Sequence, residues 1–223
     1  MHAVGIVAAA GSGLRLGADQ PKALVSLGGR PLVRWAVDAL RSGGVADVIV
    51  AVPAGRRAAF EAVLPADVRL VEGGMTRTAS VRAALAAAGS SADAVLVHDA
   101  ARPLTPPDVV ARVLAALAAG ARAVVPVLPV VDTTVVVDAD GVINHDVPRA
   151  PLRRVQTPQG FDRATLADAY ARLDDTAELT DDAAVVRADG VLVTTVDGDD
   201  RSAKVTVAHD LALAELQVST VRR

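Results

Sequence analysis

The chain has 223 residues and a formal net charge of −3, with no cysteine, 52% hydrophobic residues and only 2% aromatic ones. This composition excludes intrinsic disorder, disulfide frameworks, thiolate metal sites and cysteine nucleophiles, and it argues against a nucleic-acid partner. The longest apolar runs are too short to span a bilayer and no basic leader precedes the first one, so we expect a cytoplasmic protein that contacts no membrane.

Short β-branched runs alternate with alanine-rich helical stretches along most of the chain. The pattern predicts strands at 4–9, 47–52, 68–71, 94–98, 123–127 and 191–196. It predicts helices at 31–41, 56–63, 78–88, 106–119 and 162–173, and two more that begin near 180 and 209. This alternation is typical of an α/β fold, a doubly wound, mostly parallel, Rossmann-like sheet covered by helices.

The rhythm changes between Leu128 and Thr157, where no helical period is present. Two β-like pieces, 133–138 and 141–146, flank the turn residues Ala139, Asp140 and Gly141, which predicts a protruding β-arm at about 130–152. An isolated hairpin is only marginally stable, so we expect the arm to pack on a second copy of the chain. Apart from this arm, we expect residues 1–223 to form a single domain.

A glycine-containing loop follows the first predicted strand. The segment AAAGSGLRLGADQPKAL lies at the carboxyl end of that strand, where open α/β sheets bind ligands and where glycines let a backbone approach phosphate closely. It is not a dinucleotide fingerprint, because Leu16 stands where the third glycine is required, and it lacks the P-loop pattern. Arg15 and Lys22 are then either cations for a polyphosphate or solvated charges on a plain glycine turn.

Lysine occurs at only two positions, Lys22 and Lys204, although the chain has 23 basic residues. A compact and flexible ammonium group differs chemically from a guanidinium, so the two exceptions either mark functional positions or reflect chance. We favour the functional interpretation because both lysines lie beside other phosphate-type signals. Lys22 ends the glycine loop, and Lys204 follows the last long predicted strand.

A second polar segment, LVHDAARPLTP, ends the strand predicted at 94–98. Asp99 would lie at the same edge of the sheet as the glycine loop, where its carboxylate could reach a ribose hydroxyl or a metal-bound triphosphate. Arg102 is a candidate for binding an oxyanion. The structural alternatives are that Asp99 caps the following turn and that His98 is a core histidine with satisfied hydrogen bonds.

Two further segments are candidates for ligand contacts. In EGGMTRTASV the double glycine can expose backbone groups to a base edge and Ser80 can add a hydrogen bond, although the same residues would also serve as a turn with a threonine N-cap. Past the arm, Arg149, Arg153 and Arg154 either hold an anionic substrate or form a solvated basic patch.

Together these segments resemble the 2-C-methyl-D-erythritol 4-phosphate cytidylyltransferase family over nearly the whole chain. The matching motifs are AAAGSGLRLG with PKAL, EGG..R..SV, VHDAARP, PV..VVDT, VPR followed by QTPQGF, TDDA, and AKVT followed by DLALAE. The resemblance implies a nucleoside diphosphosugar transferase-like fold that binds CTP and Mg²⁺. It also implies that CMP is attached to the substrate phosphate, that pyrophosphate is released, and that the active site is shared across a homodimer.

The resemblance also implies a role for particular residues, motif by motif. The cytosine would be bound by Ala10, Gly74 and Ser80, and the ribose region by Gly11, Asp99 and Ala100. The catalytic cations would be Arg15, Lys22 and Lys204, of which Lys204 bridges the two substrates. The methylerythritol phosphate would be bound by Arg102, Thr133 and Arg149, the last two from the partner subunit. Asp99 is the candidate ligand of Mg²⁺, directly or through water.

Two alternatives remain open from the residues. The first is a cytidylyltransferase of the same fold that acts on another polyol phosphate, such as ribitol 5-phosphate, because both groups share the CTP half of the site. The second is a non-catalytic regulator that binds nucleotide on this scaffold. The two lysines argue against a regulator, since a sensor has no need of cations that stabilise a transition state.

Overall fold

The computed structural model describes residues 1–11, 20–174 and 179–221. Up to the middle of the chain the elements are β1 (Ala3–Ala8), β2 (Ser26–Leu27), β3 (Arg30–Pro31), α1 (Leu32–Ser42), β4 (Asp47–Val52), α2 (Arg57–Glu61), β5 (Arg69–Glu72), α3 (Arg77–Ala87) and β6 (Ala94–Asp99). Those that follow are α4 (Pro107–Ala118), β7 (Ala123–Pro129), β8 (Thr134–Val137), β9 (Ile143–Val147), β10 (Arg153–Val155), β11 (Gln159–Asp162), α5 (Arg163–Arg172), α6 (Asp182–Ala188), β12 (Thr194–Asp197) and α7 (Ala208–Val221).

The main sheet has eight strands in the order β10, β7, β11, β6, β1, β4, β5, with β12 paired to β7. Strands β5, β4, β1 and β6 run parallel, as does the pair of β12 and β7. This arrangement confirms the predicted doubly wound and mostly parallel sheet. The antiparallel strands β10 and β11 were not predicted; both pair with β7, and β11 also pairs with β6 and so connects the two strands.

The core lies on both faces of the sheet because successive side chains of each strand point to opposite sides. On β1, Val4 and Ile6 pack in the cluster that α3, α5 and α6 cover. Val7 packs on the other face, in the cluster formed with α1 and α4. The absence of a side chain at Gly5 lets β1 approach α1, since a Cβ there would lie 2.9 Å from Leu40 Cδ1. The strands are thus sandwiched between two helical layers, which leaves their ends free for a ligand.

A third, smaller cluster holds the carboxyl-terminal helix against the β2–β3 hairpin. Leu27, Leu32, Val205, Ala214 and Val218 are all buried in it. Because Val205 directly follows Lys204, this packing fixes the segment that carries the second lysine.

The predicted β-arm is present as an antiparallel hairpin of β8 and β9, which forms a two-stranded sheet of its own. Its turn is closed by the Asp138 carboxylate, which accepts hydrogen bonds from the backbone N–H groups of Asp140 (3.0 Å) and Val142 (2.9 Å). Large apolar side chains of the hairpin are exposed, among them Val137 at 53% and Ile143 at 62%. The hairpin therefore leaves an apolar surface uncovered by its own chain.

Among the helices within the described ranges, none combines the length and the hydropathy that a membrane span requires.

Candidate active site

One pocket lies at the carboxyl ends of β1 and β6, between the turn after β5 and the segment before α7. Its volume is about 560 Å³. Within the described part of its lining, Lys22, Arg77 and Lys204 are the basic side chains and Asp99 is the acidic one. An excess of positive charge in a concave site favours an anionic ligand.

The wall beside α3 is built by the turn that connects β5 to that helix. Thr76 is the N-cap of α3, and its Oγ1 accepts a hydrogen bond from the Ala79 N–H at 3.0 Å. The Ser80 hydroxyl donates to the Thr76 carbonyl (2.8 Å) and also lies 3.3 Å from the Gly74 carbonyl. A Cβ at Gly73 would lie 2.6 Å from Ser80 Oγ, so glycine is required for this close approach. The result is a tight turn that presents the backbone of residues 74–76 to the pocket.

Asp99 lies at the floor of the pocket, at the last position of β6. Its backbone N–H donates to Thr157 Oγ1 at 3.1 Å, which ties the end of β6 to the segment before β11. Its carboxylate faces three cations: Arg77 Nε at 3.3 Å, Lys204 Nζ at 2.8 Å and Arg102 Nε at 3.9 Å. Burial alone would raise the pKa of Asp99, but Arg77, followed by Lys204 and Arg102, outweighs burial and holds that pKa well below its usual range. The carboxylate is therefore ionised.

Arg77 connects Asp99 to a second carboxylate behind the pocket. Its Nη2 lies 2.7 Å from Oδ2 of Asp182, a residue with no exposed surface at the start of α6. Tyr170 donates its hydroxyl hydrogen to the other oxygen of Asp182 at 2.6 Å. Burial opposes the charge of Arg77, yet Asp182 and Asp99 outweigh it and raise the pKa of the guanidinium, which stays protonated.

The segment that carries Lys204 is held by hydrogen bonds from two directions. The Gln156 side chain donates to the Asp199 carbonyl at 2.8 Å and accepts from the Asp199 N–H at 3.0 Å. Arg102 donates to the Ser202 carbonyl at 2.7 Å, and the Val205 N–H donates to the Ala101 carbonyl at 2.8 Å. The segment is thus anchored on both sides of Lys204, which places this lysine beside Asp99.

His98 is fully buried and is not among the residues that line the pocket. Its Nδ1 lies 2.8 Å from Thr157 Oγ1. Burial lowers the pKa of His98 to about 4, so the ring is neutral at pH 7. His98 is thus a core histidine, as one alternative predicted, but its hydrogen bonds are not all satisfied, because its Nε2 is buried without a hydrogen-bond partner in the described part of the chain.

The pocket gathers eight of the predicted site residues: Ala10, Gly11, Lys22, Gly74, Ser80, Asp99, Ala100 and Lys204. Arg15 lies outside the described residues. Three predicted residues are not among the described lining of the pocket. Arg102 stands beside it, with its guanidinium bonded to the Ser202 and Val155 carbonyls, and Thr133 and Arg149 are exposed at the base of the arm.

Several residues that build the site were not predicted. Arg77 and Thr206 line the pocket, whereas Gln156 and Gln159 act from behind it. Arg77 is the arginine of the EGG..R..SV motif, and the two glutamines flank the Thr-Pro of QTPQGF. The motifs therefore indicated that these residues are important, but the sequence alone does not show which element each side chain contacts.

The arrangement suits electrostatic chemistry on a polyphosphate. No cluster of three or more His, Cys, Asp or Glu side chains that could form a metal cage occurs in the described part of the chain. Mg²⁺ is commonly held by only one or two carboxylates together with substrate phosphates, and the ionised Asp99 fits that role.

Comparisons with known proteins agree on one family. The family of 2-C-methyl-D-erythritol 4-phosphate cytidylyltransferases matches residues 3–220. The Nocardia farcinica enzyme of that name is 53% identical over 215 residues, which cover 95% of this chain and 92% of the relative. The Rhodococcus opacus enzyme is 49% identical, with coverages of 96% and 94%. The crystal structure of the Thermus thermophilus enzyme superposes with a TM-score of 0.82 at 40% identity, covering 98% of this chain and 100% of that one.

Proposed function

Because the chain belongs to the 2-C-methyl-D-erythritol 4-phosphate cytidylyltransferase family, we propose that the pocket between β1, β6 and α3 is its active site. The protein converts 2-C-methyl-D-erythritol 4-phosphate and CTP to 4-diphosphocytidyl-2-C-methyl-D-erythritol and pyrophosphate, a step of non-mevalonate isoprenoid biosynthesis. The observation that carries the placement is the convergence of Lys22 and Lys204, the chain's two lysines, with Asp99 in one pocket.

The nucleoside half of CTP occupies the wall beside α3 and the floor in this proposal. Ala10, Gly74 and Ser80 bind the cytosine. The Ser80 hydroxyl already bonds to the Thr76 carbonyl, so its main contribution is to hold the turn whose backbone meets the base. Gly11, Asp99 and Ala100 bind the ribose, for which the ionised Asp99 is a strong acceptor of hydroxyl hydrogens.

The triphosphate is bound by cations. Arg15 and Lys22 hold the phosphates and stabilise the charge that develops on the α-phosphorus, while Lys204 bridges CTP and the second substrate. A phosphate oxygen of the polyol phosphate attacks the α-phosphorus, the bond to the β-phosphate oxygen breaks, and pyrophosphate leaves. The attacking oxygen is already ionised, so no general base is required, and catalysis rests on positioning and on charge stabilisation.

Mg²⁺ belongs to the same proposal. Asp99, the carboxylate of the described pocket lining, would hold it, and Oδ2 of this carboxylate already attracts one cation, Lys204 Nζ at 2.8 Å. When bound, Mg²⁺ would neutralise charge on the phosphates and on the leaving pyrophosphate.

The polyol phosphate half is shared between two copies of the chain in this proposal. Thr133 and Arg149 lie at the base of the arm, exposed and outside their own pocket, so they are free to enter the pocket of a partner. Arg102 assists from the floor, where it holds the Ser202 carbonyl two residues before Lys204. The exposed apolar side chains of the arm, including Val137 and Ile143, support its packing on the partner subunit.

The experiment that tests the proposal is pyrophosphate release from CTP and Mg²⁺, with 2-C-methyl-D-erythritol 4-phosphate and ribitol 5-phosphate assayed in parallel. We expect strong preference for the first substrate. Preference for ribitol 5-phosphate would overturn the assignment of the polyol half while leaving the CTP half. CTP binding without pyrophosphate release from either substrate would favour the regulator instead.

A further inference from the structure

A line of alternating charges runs from the pocket into the core. Its members are Lys204, Asp99, Arg77 and Asp182, and it ends at the hydroxyl of Tyr170. Each neighbouring pair is in contact, at 2.8, 3.3, 2.7 and 2.6 Å in that order. We call this set the ion-pair chain of the pocket floor.

The two carboxylate oxygens of Asp99 have partners of different kinds. Lys204 contacts Oδ2 through a flexible side chain that is 41% exposed, whereas Arg77 contacts Oδ1 and is anchored at its other end on the fully buried Asp182. Asp182 is itself fixed, because Tyr170 donates to it and Gln159 accepts a hydrogen bond from the next backbone N–H, that of Ala183, at 2.9 Å. Arg77 is therefore the anchored hydrogen-bond partner of Asp99 and Lys204 is the more exposed one, while the third cation, Arg102, lies beyond hydrogen-bond distance of the carboxylate at 3.9 Å.

We propose that Arg77 is a positioning residue for nucleotide binding, which keeps the Asp99 carboxylate aimed at CTP when Lys204 leaves it for the phosphates. This inference rests on the proposed function, in which Asp99 contacts the ribose and Lys204 the two substrates. A carboxylate without a fixed partner rotates about its side-chain torsions, and a misplaced acceptor loses its charge-assisted hydrogen bond. Arg77 prevents that rotation from the side opposite Lys204.

The alternative is that Arg77 serves stability alone, because removing one partner of a buried ion pair is strongly destabilising. The two roles are separable by affinity measured on folded protein. The principal variant is Arg77→Gln combined with Asp182→Asn, which removes the guanidinium without leaving an uncompensated buried carboxylate. The matched control is Arg82→Gln, on the same helix, whose Nη2 lies 3.3 Å from the carbonyls of Tyr170 and Leu173.

The experiment is a double-mutant cycle in the dissociation constant for CTP, measured by calorimetry on the full chain. We expect the Arg77→Gln/Asp182→Asn variant to bind CTP about tenfold more weakly, and Asp99→Asn to lose at least as much. Combining all three substitutions should cost little more than Asp99→Asn alone, because Arg77 acts through Asp99. The KM for the polyol phosphate and the affinity of Arg82→Gln for CTP should stay within about twofold of wild type.

Additive losses in the cycle, or unchanged CTP affinity in the Arg77→Gln/Asp182→Asn variant, would overturn the inference. If that variant does not fold, Tyr170→Phe decides the question, since it removes only the hydroxyl at the far end of the ion-pair chain. We then expect CTP affinity to fall about twofold to threefold, and an unchanged affinity would overturn the inference. A wild-type protein that releases pyrophosphate preserves the proposed function in either case, whereas one that does not bind CTP overturns both.

Discussion

The pocket floor and the arm differ in how their polar groups are partnered. On the floor, Asp99, Thr157 and Gln159 are buried, and each is bonded to other protein groups. At the base of the arm, Thr133 and Arg149 are exposed, and Arg149 is bonded to a single backbone carbonyl, that of Val131. The difference teaches that the polar groups of the pocket floor are held in place by their own chain, whereas those at the base of the arm are left exposed, as the proposed sharing of the polyol half between subunits requires.

The apolar side chains show the same contrast. Those around the floor belong to the two large clusters on the faces of the sheet. Those of the arm remain on the surface, where Val131 is 65% and Val142 60% exposed. Because an exposed hairpin is only marginally stable, an arm with this surface is better suited to packing against a second copy than to standing alone.

The largest expected effect comes from the floor. Lys22→Ala removes a cation whose proposed role is to stabilise charge in the transition state, so we expect kcat to fall about 10²- to 10³-fold. The affinity for the polyol phosphate should change much less, since that substrate binds at the other half. Steady-state kinetics with each substrate varied in turn checks this. A Lys22→Ala enzyme with an unchanged kcat would contradict the proposed role of the lysine.

A substitution at the arm should have a smaller effect, and it should change KM for the polyol phosphate and not the affinity for CTP. Arg149→Ala removes a cation that is proposed to bind the polyol phosphate, so we expect KM for that substrate to rise about tenfold or more while CTP affinity is nearly unchanged. The control is Arg57→Ala, an exposed arginine on α2 that is paired with Glu61. An equal loss of CTP affinity in Arg149→Ala would show that the two halves of the site are not separate.

Mixing the two variants tests whether the halves come from different subunits. With substrate well below KM, Lys22→Ala and Arg149→Ala should each be nearly inactive. A dimer that contains one copy of each has one intact shared site, so random exchange should restore about a quarter of wild-type activity. The measurement is activity after subunit exchange, with exchange itself followed by mass spectrometry. No recovery despite complete exchange would place both halves in one subunit.

Most of the fold follows from the sequence because the local patterns are strong. The parallel strands β4 and β6 contain continuous apolar runs at 48–52 and 94–97, and the arm is marked by the turn chemistry of Asp140 and Gly141. Strands β10 and β11 are short and carry Arg153, Arg154 and Gln159, so nothing in their polarity indicates a strand. They form because β7 and β6 offer them backbone partners, which is a property of the tertiary structure.

The site follows the same division. Eight of the residues predicted from motifs line one pocket. The motifs were sufficient for this prediction because they lie near the ends of strands or the starts of helices at the same edge of the sheet. The pairing of Arg77 with Asp182 could not be predicted, because 105 residues separate them in the chain and only the packing of α3 and α6 on the same face of the sheet brings them together. Contacts across such separations leave no local pattern.

The last expected effect concerns stability and not catalysis, and it compares the buried His98 behind the floor with the exposed His145 on the arm. Burial lowers the pKa of His98 to about 4 from its ordinary value of 6.5. Between these values the unfolded chain binds more protons than the folded one, so the free energy of unfolding rises with pH across this window and is lost as the pH falls. We expect His98 to account for at most about 3 kcal/mol between pH 7 and pH 4.

Urea unfolding at a series of pH values between 7 and 4 measures this dependence. In His98→Gln, a non-titrating side chain that can still bond to Thr157, the slope of unfolding free energy against pH should become shallower. His145→Gln, which removes an exposed imidazole from the arm, is the matched control. If the two variants showed the same slope, the buried imidazole would not be the group that titrates. The pH sensitivity between pH 7 and pH 4 would then have to come from groups other than His98, and not from Asp99, whose lowered pKa confines the loss of its contribution to stronger acid.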